Sequence, residues 1–202
     1  MSELIAPLPR PVRPLLADIV PALRDRTLLL VVSGALLMAA ASQIRIPLGF
    51  TPVPINLATF GAVLLGGALG ARRGVASTGL FVVAGAVGLP FFADWNGGWS
   101  YFTGATGGYL VCYPLMAAMV GFAADRGRDR EVVPFVTAVL LANVVLYTVG
   151  AMWLAHVIGV PMFGGESSAW ALGVRPFLAG DLVKMIAAGL LFPAVWRFIE
   201  ER

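Results

Sequence analysis

A chain of 202 residues that is 59% hydrophobic and only 12% charged, with a mean hydropathy of +0.87, has too little polar side chain to cover a water-facing surface. Its apolar surface belongs in lipid, which excludes an ordinary soluble domain. The net charge of +3 does not mark a nucleic-acid binder, because most Lys and Arg residues fall in short clusters between apolar runs and not along one face.

The first 26 residues carry Pro7, Pro9, Pro11 and Pro14 among Arg10, Arg13, Arg24 and Arg26, without a central apolar block. They read as a cytoplasmic tail and not as a signal peptide. Within the tail, residues 15–23 suit a short helix on the membrane surface. A hydrocarbon core about 30 Å thick takes roughly 20 apolar residues of helix, and six segments approach that length. Residues 27–44 end at Arg45, with Pro47, Gly49 and Pro52 behind it. Residues 53–71 stop at Arg72 and Arg73, and residues 74–89 are closed by Pro90. A loop rich in Gly and aromatics, 91–106, leads to a fourth helix over 107–124. The charged run 125–131 is a solvated turn before a fifth helix, 132–158. A second glycine-rich loop, 159–168, precedes a sixth helix over 172–197, entered through Arg175 and Pro176, and Pro176 suits a first helical turn. Pro54, Pro114 and Pro134 are placed near helix ends, where they cost little. Only backbones with internally closed hydrogen bonds cross a bilayer, so these segments are helices and not strands. The chain reads as all-α: a tail, 1–26, and a six-helix transmembrane domain, 27–202.

Six spans put both termini on one side. That side holds Arg10, Arg13, Arg24, Arg26, Arg72, Arg73, Arg126, Arg128, Arg130, Arg197 and Arg202, against Arg45 and Arg175 opposite. The excess of positive charge places both termini in the cytoplasm of a multi-pass inner-membrane protein and the two glycine-rich loops outside. Those outer loops carry Trp95, Asn96, Trp99, Tyr101, Phe102 and Trp170. They are read either as lids over a binding site or as an aromatic belt at the headgroups.

Asp181 and Lys184 lie in the last apolar segment at i, i+3 spacing, on one helix face. Charges at bilayer depth need a partner or a function. The pair either satisfies itself or forms the polar floor of a pocket, where a carboxylate takes N–H donors and an ammonium meets a carbonyl or carboxylate oxygen. A cyclic urea, with two N–H donors flanking one carbonyl, fits both. Asn143 and Tyr147, at i, i+4 in the fifth segment, serve either to join helices or to touch a ligand, and Asn56 and Thr59 are weaker cases of the same kind. Ala35 and Ala39 have the small-xxx-small spacing of close helix contacts. His156 stands without a Cys, Asp or Glu cluster, so no metal is expected. Cys112, a lone thiol, reads as a small buried hydrophobe. No HExxH, Walker A or G-x-S-x-G motif is present, so no ATPase or hydrolase activity is expected of this chain, and no cofactor is implied.

Four stretches resemble the BioY-type biotin transporters, the substrate-capture (S) components of energy-coupling factor (ECF) transporters. Thr51-Pro52-Val53-Pro54-Ile55-Asn56-Leu57 is similar to the family's PVPITLQT, and Gly85-Ala86-Val87-Gly88-Leu89-Pro90-Phe91-Phe92 to its GAxGLPVF. Gly97-Gly98 with Gly104-Ala105-Thr106-Gly107-Gly108-Tyr109-Leu110 is similar to its GG…GPTGGYL. Residues 175–184, Arg-Pro-Phe-Leu-Ala-Gly-Asp-Leu-Val-Lys, are similar to its LPFxPGDxxK. Asn56, Ala105 and Ala179 depart from the family's usual Thr, Pro and Pro. The resemblance covers residue 27 onward and implies a compact six-helix bundle with a biotin pocket near its outer face. Asp181 and Lys184 match the family's ligand-binding acid and lysine. Asn96 and the glycine-rich loop with Gly98, Gly107 and Tyr109 align with its substrate-contacting loop, and the loop after the first helix with a gate. Ala35 and Ala39 match its contact with the transmembrane coupling (T) subunit, which a pair of ATPases joins. Some members of the family work without that module.

The function expected is biotin capture and uptake within a lipid bilayer. Asp181 and Lys184 would hold the polar groups at the pocket base, with Asn143 and Tyr147 nearby, and loop aromatics such as Trp95, Trp99 and Tyr101 would cover the bicyclic ring. The alternatives are another vitamin such as thiamine or riboflavin, an intramembrane enzyme using Asp181 as acid or base, and a structural membrane subunit that binds nothing small.

Overall fold

The computed structural model describes residues 14–201, so the prolines and arginines of the tail before Pro14, and Arg202, lie outside the described residues. Helices α1 (Pro21–Arg24), α2 (Thr27–Gln43), α3 (Ala58–Ala86), α4 (Trp99–Phe102), α5 (Gly107–Ala124), α6 (Val132–Ile158), α7 (Ala169–Gly173) and α8 (Leu178–Glu200) dominate. The only strands among the described residues are β1 (Arg45–Ile46) and β2 (Ile55–Asn56), an antiparallel pair that closes the loop after α2.

The long α3 is two arms. Gly70, at φ 78° and ψ 178°, breaks it in a region of backbone space open essentially to Gly alone. The arms fold back on each other, since a Cβ added to Gly74 would stand 3.1 Å from the Cα of Gly66. The expected second and third segments are therefore the arms of one hairpin, with Arg72 and Arg73 just past its turn. Their bounds move inward: residues 53–57 are loop and strand, and the second arm ends at Ala86.

Among the described residues, three runs are long and apolar enough to cross a membrane: Gly107–Ala124, Val132–Ile158 and Ala169–Glu200. The helix Thr27–Gln43 is apolar but shorter. The sixth segment is entered through Arg175 and Pro176 as expected, but its continuous helix starts at Leu178 and not at residue 172. α7 and a 3₁₀ turn at Arg175–Phe177 precede α8, so Pro176 stands in the entry turn and not inside the long helix. Pro114 also differs, lying in the interior of α5. The tail residues 15–23 form a 3₁₀ turn, Leu16–Ile19, followed by α1. They are tied to the α3 hairpin by Arg73, which pairs with Asp18 at 2.7 Å and donates to the Arg24 carbonyl.

In lipid, helices gain little from burying apolar surface against one another, so close packing and buried hydrogen bonds must hold the bundle. Glycine provides the close approach. A Cβ on Gly66 would come 2.7 Å from the Ala117 carbonyl oxygen, and one on Gly121 would collide with the backbone of Ala71. α5 thus beds against the hairpin on one side and α6 on the other. Met38, Phe81, Phe92, Met116, Phe135, Leu146, Leu154 and Phe192 fill the interior. One end of the bundle is fastened by buried Asp129, which accepts from the Trp196 indole, and by Arg130 lying over that indole and pairing with Glu200. The other end carries the pairs Arg45–Asp94 and Arg175–Glu166.

Candidate functional site: an aromatic cavity with a charged floor

A cavity enclosing about 600 Å³ of non-atom space, its mouth included, opens between the β1–β2 loop, the Gly85–Gly107 connection and helices α3, α5, α6 and α8. Its floor is set by the first two turns of α8. Lys184 Nζ donates to Asp181 Oδ1 at 2.7 Å, to the Asn56 carbonyl at 2.6 Å and to Thr59 Oγ1 at 3.0 Å. The Tyr147 hydroxyl donates to Asp181 Oδ2 at 2.5 Å, and Thr59 Oγ1 lies 3.4 Å from Asp181 Oδ1. Asp181 is 5% exposed, so this is a buried pair whose partners answer its desolvation.

The arithmetic of donors is specific. The ammonium has three protons, and three internal acceptors take them. The carboxylate has about four acceptor positions, and three are taken. The floor therefore offers a capturing acceptor on Asp181 Oδ2, while a ligand oxygen reaches Lys184 only by displacing a protein acceptor.

The walls are aromatic. Phe81 meets Phe92 edge-on with ring centroids 5.6 Å apart, Phe92 stacks on Tyr101 at 5.4 Å, and Tyr113 tilts against Phe81 at 6.2 Å. Burial pushes the Tyr101 hydroxyl above its ordinary range, so it remains a neutral donor. Ser42, Asn56, Thr106 and Tyr109 add polar edges, and Leu146, Leu110 and Phe177 apolar ones. Phe81, Tyr113 and Ser42 are not singled out by the sequence, and Phe92, Thr106 and Phe177 stand there only inside family motifs, not as site residues. In an apolar chain with many aromatics, a residue lining a cavity has the same local pattern as one filling a core. Tyr113, one residue from Cys112 in a continuous apolar run, carried no separable signal.

Of the residues singled out from sequence, the fold brings Asp181, Lys184, Tyr147 and Tyr109 to this cavity, together with Asn56, Thr59 and Tyr101. The Tyr109 ring lines the wall while its hydroxyl donates to the Gly173 carbonyl at 2.8 Å, holding α7 in place. Asn143 does not line the cavity. It borders a smaller chamber beneath, shared with Thr59, Asp181 and Lys184. Its Nδ2 donates to the Val139 carbonyl, and its buried Oδ1 has no partner. Asn96 also stands outside. It shapes the loop, accepting from the Phe92 N–H on its carbonyl and donating through Nδ2 to Ala93.

Gly98 and Gly107 act through backbone. Gly98, at φ 94°, passes its N–H to the Gly85 carbonyl at 2.7 Å, and Gly107 admits the Phe102 carbonyl and the Trp153 ring where a Cβ would stand. Trp95 and Trp99 turn outward, 71% and 68% exposed, so Tyr101 is the member of the expected aromatic lid that lines the cavity. Ala35 is buried in the bundle at 2% exposure, and Ala39 is partly buried. The outward face of α2 carries Leu29, Val32, Leu36 and Leu37 instead.

An apolar helical bundle with a charged, aromatic-walled cavity opening at one end is the architecture of a membrane protein that captures a small polar ligand. The family model described as "BioY family" matches residues 16–201, and this chain belongs to that family. It is 35% identical over 155 residues to the probable biotin transporter BioY of Pyrococcus horikoshii, covering 77% of this chain and 86% of that protein. It is 34% identical over 169 residues to the biotin transporter BioY of Rhizobium etli, covering 80% and 88%. Its fold is similar to a crystal structure at 2.1 Å of the S-component for biotin from an ECF-type ABC transporter, with a TM-score of 0.75, 26% identity, and 85% and 91% of the two chains covered.

Proposed function

We propose that this chain binds biotin inside the membrane and serves its uptake, as the S component of an ECF transporter or alone. It is a substrate-binding transport subunit and not an enzyme. The observation that carries the reading is the Asp181–Lys184–Tyr147 network, buried at the floor of an aromatic-walled cavity. Biotin has a cyclic urea and a carboxylate. Its N–H groups match the acceptor capacity left on Asp181, and the aromatic walls suit its fused rings. Six helical arms cross the bilayer in this reading, with both termini in the cytoplasm. The charge distribution supports that, since Arg72, Arg73, Arg126, Arg128, Arg130 and Arg197 gather at one end and the cavity mouth lies at the other.

The β1–β2 loop, pinned to α8 through the Asn56 carbonyl and to α7 by Thr51 Oγ1 donating to the Leu172 carbonyl at 2.7 Å, is the gate. A T subunit with its ATPase pair supplies the energy where the module is used. It would meet α2 through Ala39 and the exposed Leu36 and Ala40, with Ala35 behind them in the bundle. A cell membrane is the setting that the family membership supports, and a bacterial inner membrane is the one proposed here.

The test is equilibrium binding of biotin to the detergent-purified protein, with thiamine and riboflavin as competitors. Biotin binding that neither competitor displaces is expected. Displacement by thiamine or riboflavin at equal concentration would keep the S-component architecture and change the vitamin.

A further inference from the structure

A second concavity lies on the membrane-facing side, between α5 and α6, far along both helices from the charged floor. It holds about 970 Å³ of non-atom space, its open side included. Phe122, Val133, Thr137 and Leu141 line its apolar length, and Arg126 and Arg128 close one end. Phe122 is 56% exposed, Val133 75% and Leu141 54%. Surfaces of this kind on a bundle in a bilayer meet acyl chains. From Val133 to Leu141 the groove follows about 12 Å of helix axis, enough for much of one leaflet's hydrocarbon.

The two arginines are what distinguish the groove from the rest of the lipid-facing surface. Among the described residues Arg126 and Arg128 form no ion pair, as Arg24, Arg26, Arg72 and Arg197 also form none, but of these only Arg126 and Arg128 line the groove. Arg126 is held in place: its guanidinium carbon lies 3.2 Å over the Phe122 ring and its Nη1 donates to the Phe122 carbonyl. The nearby acids face elsewhere. Asp129 is buried against Trp196, and Asp125 turns to the α3 hairpin, where it accepts from the Ala71 N–H. Glu131, the residue before α6, does not line the groove. The first turn of α6 does, and the positive end of its dipole adds to the same sign of potential.

We propose that this groove is a binding site for an anionic phospholipid of the cytoplasmic leaflet. The phosphate sits between Arg126 and Arg128, and one acyl chain lies along residues 133–141. Charge selects the occupant: a basic rim at the headgroup level over a hydrocarbon-lined slot matches an acidic lipid and gives a zwitterionic one no advantage. The inference rests on the orientation stated above, which puts this end at the cytoplasmic surface.

The test is native mass spectrometry of the detergent-purified chain titrated with phosphatidylglycerol or phosphatidylcholine. Two doubly substituted proteins accompany it: Arg126→Gln/Arg128→Gln, and Arg72→Gln/Arg197→Gln, which removes the same charge at the same end outside the groove. The expected result is preferential retention of one phosphatidylglycerol. Its apparent affinity should fall roughly tenfold or more in the first variant and stay within about twofold in the second. Inorganic phosphate at matching concentration should not displace it. Equal retention of both lipids, or an equal fall in both variants, would overturn the site, the second by reducing it to diffuse surface charge. Biotin titrations on the same samples keep the two readings apart. Unchanged biotin binding in Arg126→Gln/Arg128→Gln certifies its fold, and failure of the unsubstituted protein to bind biotin would strike the proposed function without touching the lipid result.

Discussion

Asp181 joins three of the helices at the cavity floor: it takes Lys184 from its own helix, Tyr147 from α6 and the neighbourhood of Thr59 from α3. Replacing it with Asn leaves a buried ammonium with no counter-charge and puts an amide where N–H groups of the ligand should land. Biotin binding should weaken by about 2–4 kcal/mol, a loss of 30-fold or more. Asn143→Ala should weaken it far less, because Asn143 lies beneath the floor and removing it also removes an unpaired buried oxygen. Equal effects of the two changes in a calorimetric titration would move the site. Tyr147→Phe keeps the ring and loses one hydrogen bond to a charged acceptor, so a reduction near tenfold is expected by the same titration. The i, i+3 spacing of Asp181 and Lys184 made this pair legible from sequence, because charge in an apolar helix has few explanations. What was not legible is that the ammonium spends all three protons inside the protein, one of them on a backbone carbonyl 128 residues away.

At the scale of elements, the α3 hairpin and the connection between α3 and α5 decide the cavity's shape. Gly70→Ala puts a Cβ against Asp125 and Leu15 at a backbone conformation that L-residues avoid. It should destabilise the bundle by about 1–3 kcal/mol, read as a lower melting temperature in detergent. Unchanged melting would mean that the hairpin turn relaxes freely. Apolar length gave the limits of α2, α5 and α6 to within a residue, and Arg72 and Arg73 marked the hairpin turn, whereas the ends of the α3 arms and the start of α8 lay several residues inside the apolar runs. The loops were harder. Gly98 and Gly107 stood out in the sequence as glycines near a ligand, yet they serve close backbone approaches, to Gly85 and to Phe102. Trp95 and Trp99 looked like a lid because aromatic type says nothing of direction. The positive φ of Asp94 and Trp95, fixed by Arg45 on Asp94 and by Gln43 accepting from the Trp95 N–H, turns that loop outward.

For the whole molecule, the orientation and the captured ligand form one account, since a cavity for uptake must open outward. Cys112 is the lone cysteine and is 1% exposed, so single-cysteine probes have a quiet background. A membrane-impermeant maleimide should label Phe163→Cys in intact cells and Arg72→Cys only after lysis; the reverse pattern would invert the topology. All-α architecture, membrane residence and the family were readable because they are spread over the chain, in hydropathy and in four ordered motifs. The lining was not, because Ser42, Phe81, Phe92, Tyr113 and Phe177 meet only through tertiary packing. In the proposed function, biotin occupies this cavity with its polar groups on the Asp181 floor. The most direct measurement is a side-by-side biotin titration of the purified protein and a folded Asp181→Asn variant. Saturable binding by the first, lost or weakened at least about 30-fold in the second at matched melting behaviour, is expected. Equal affinity in the two proteins would contradict it.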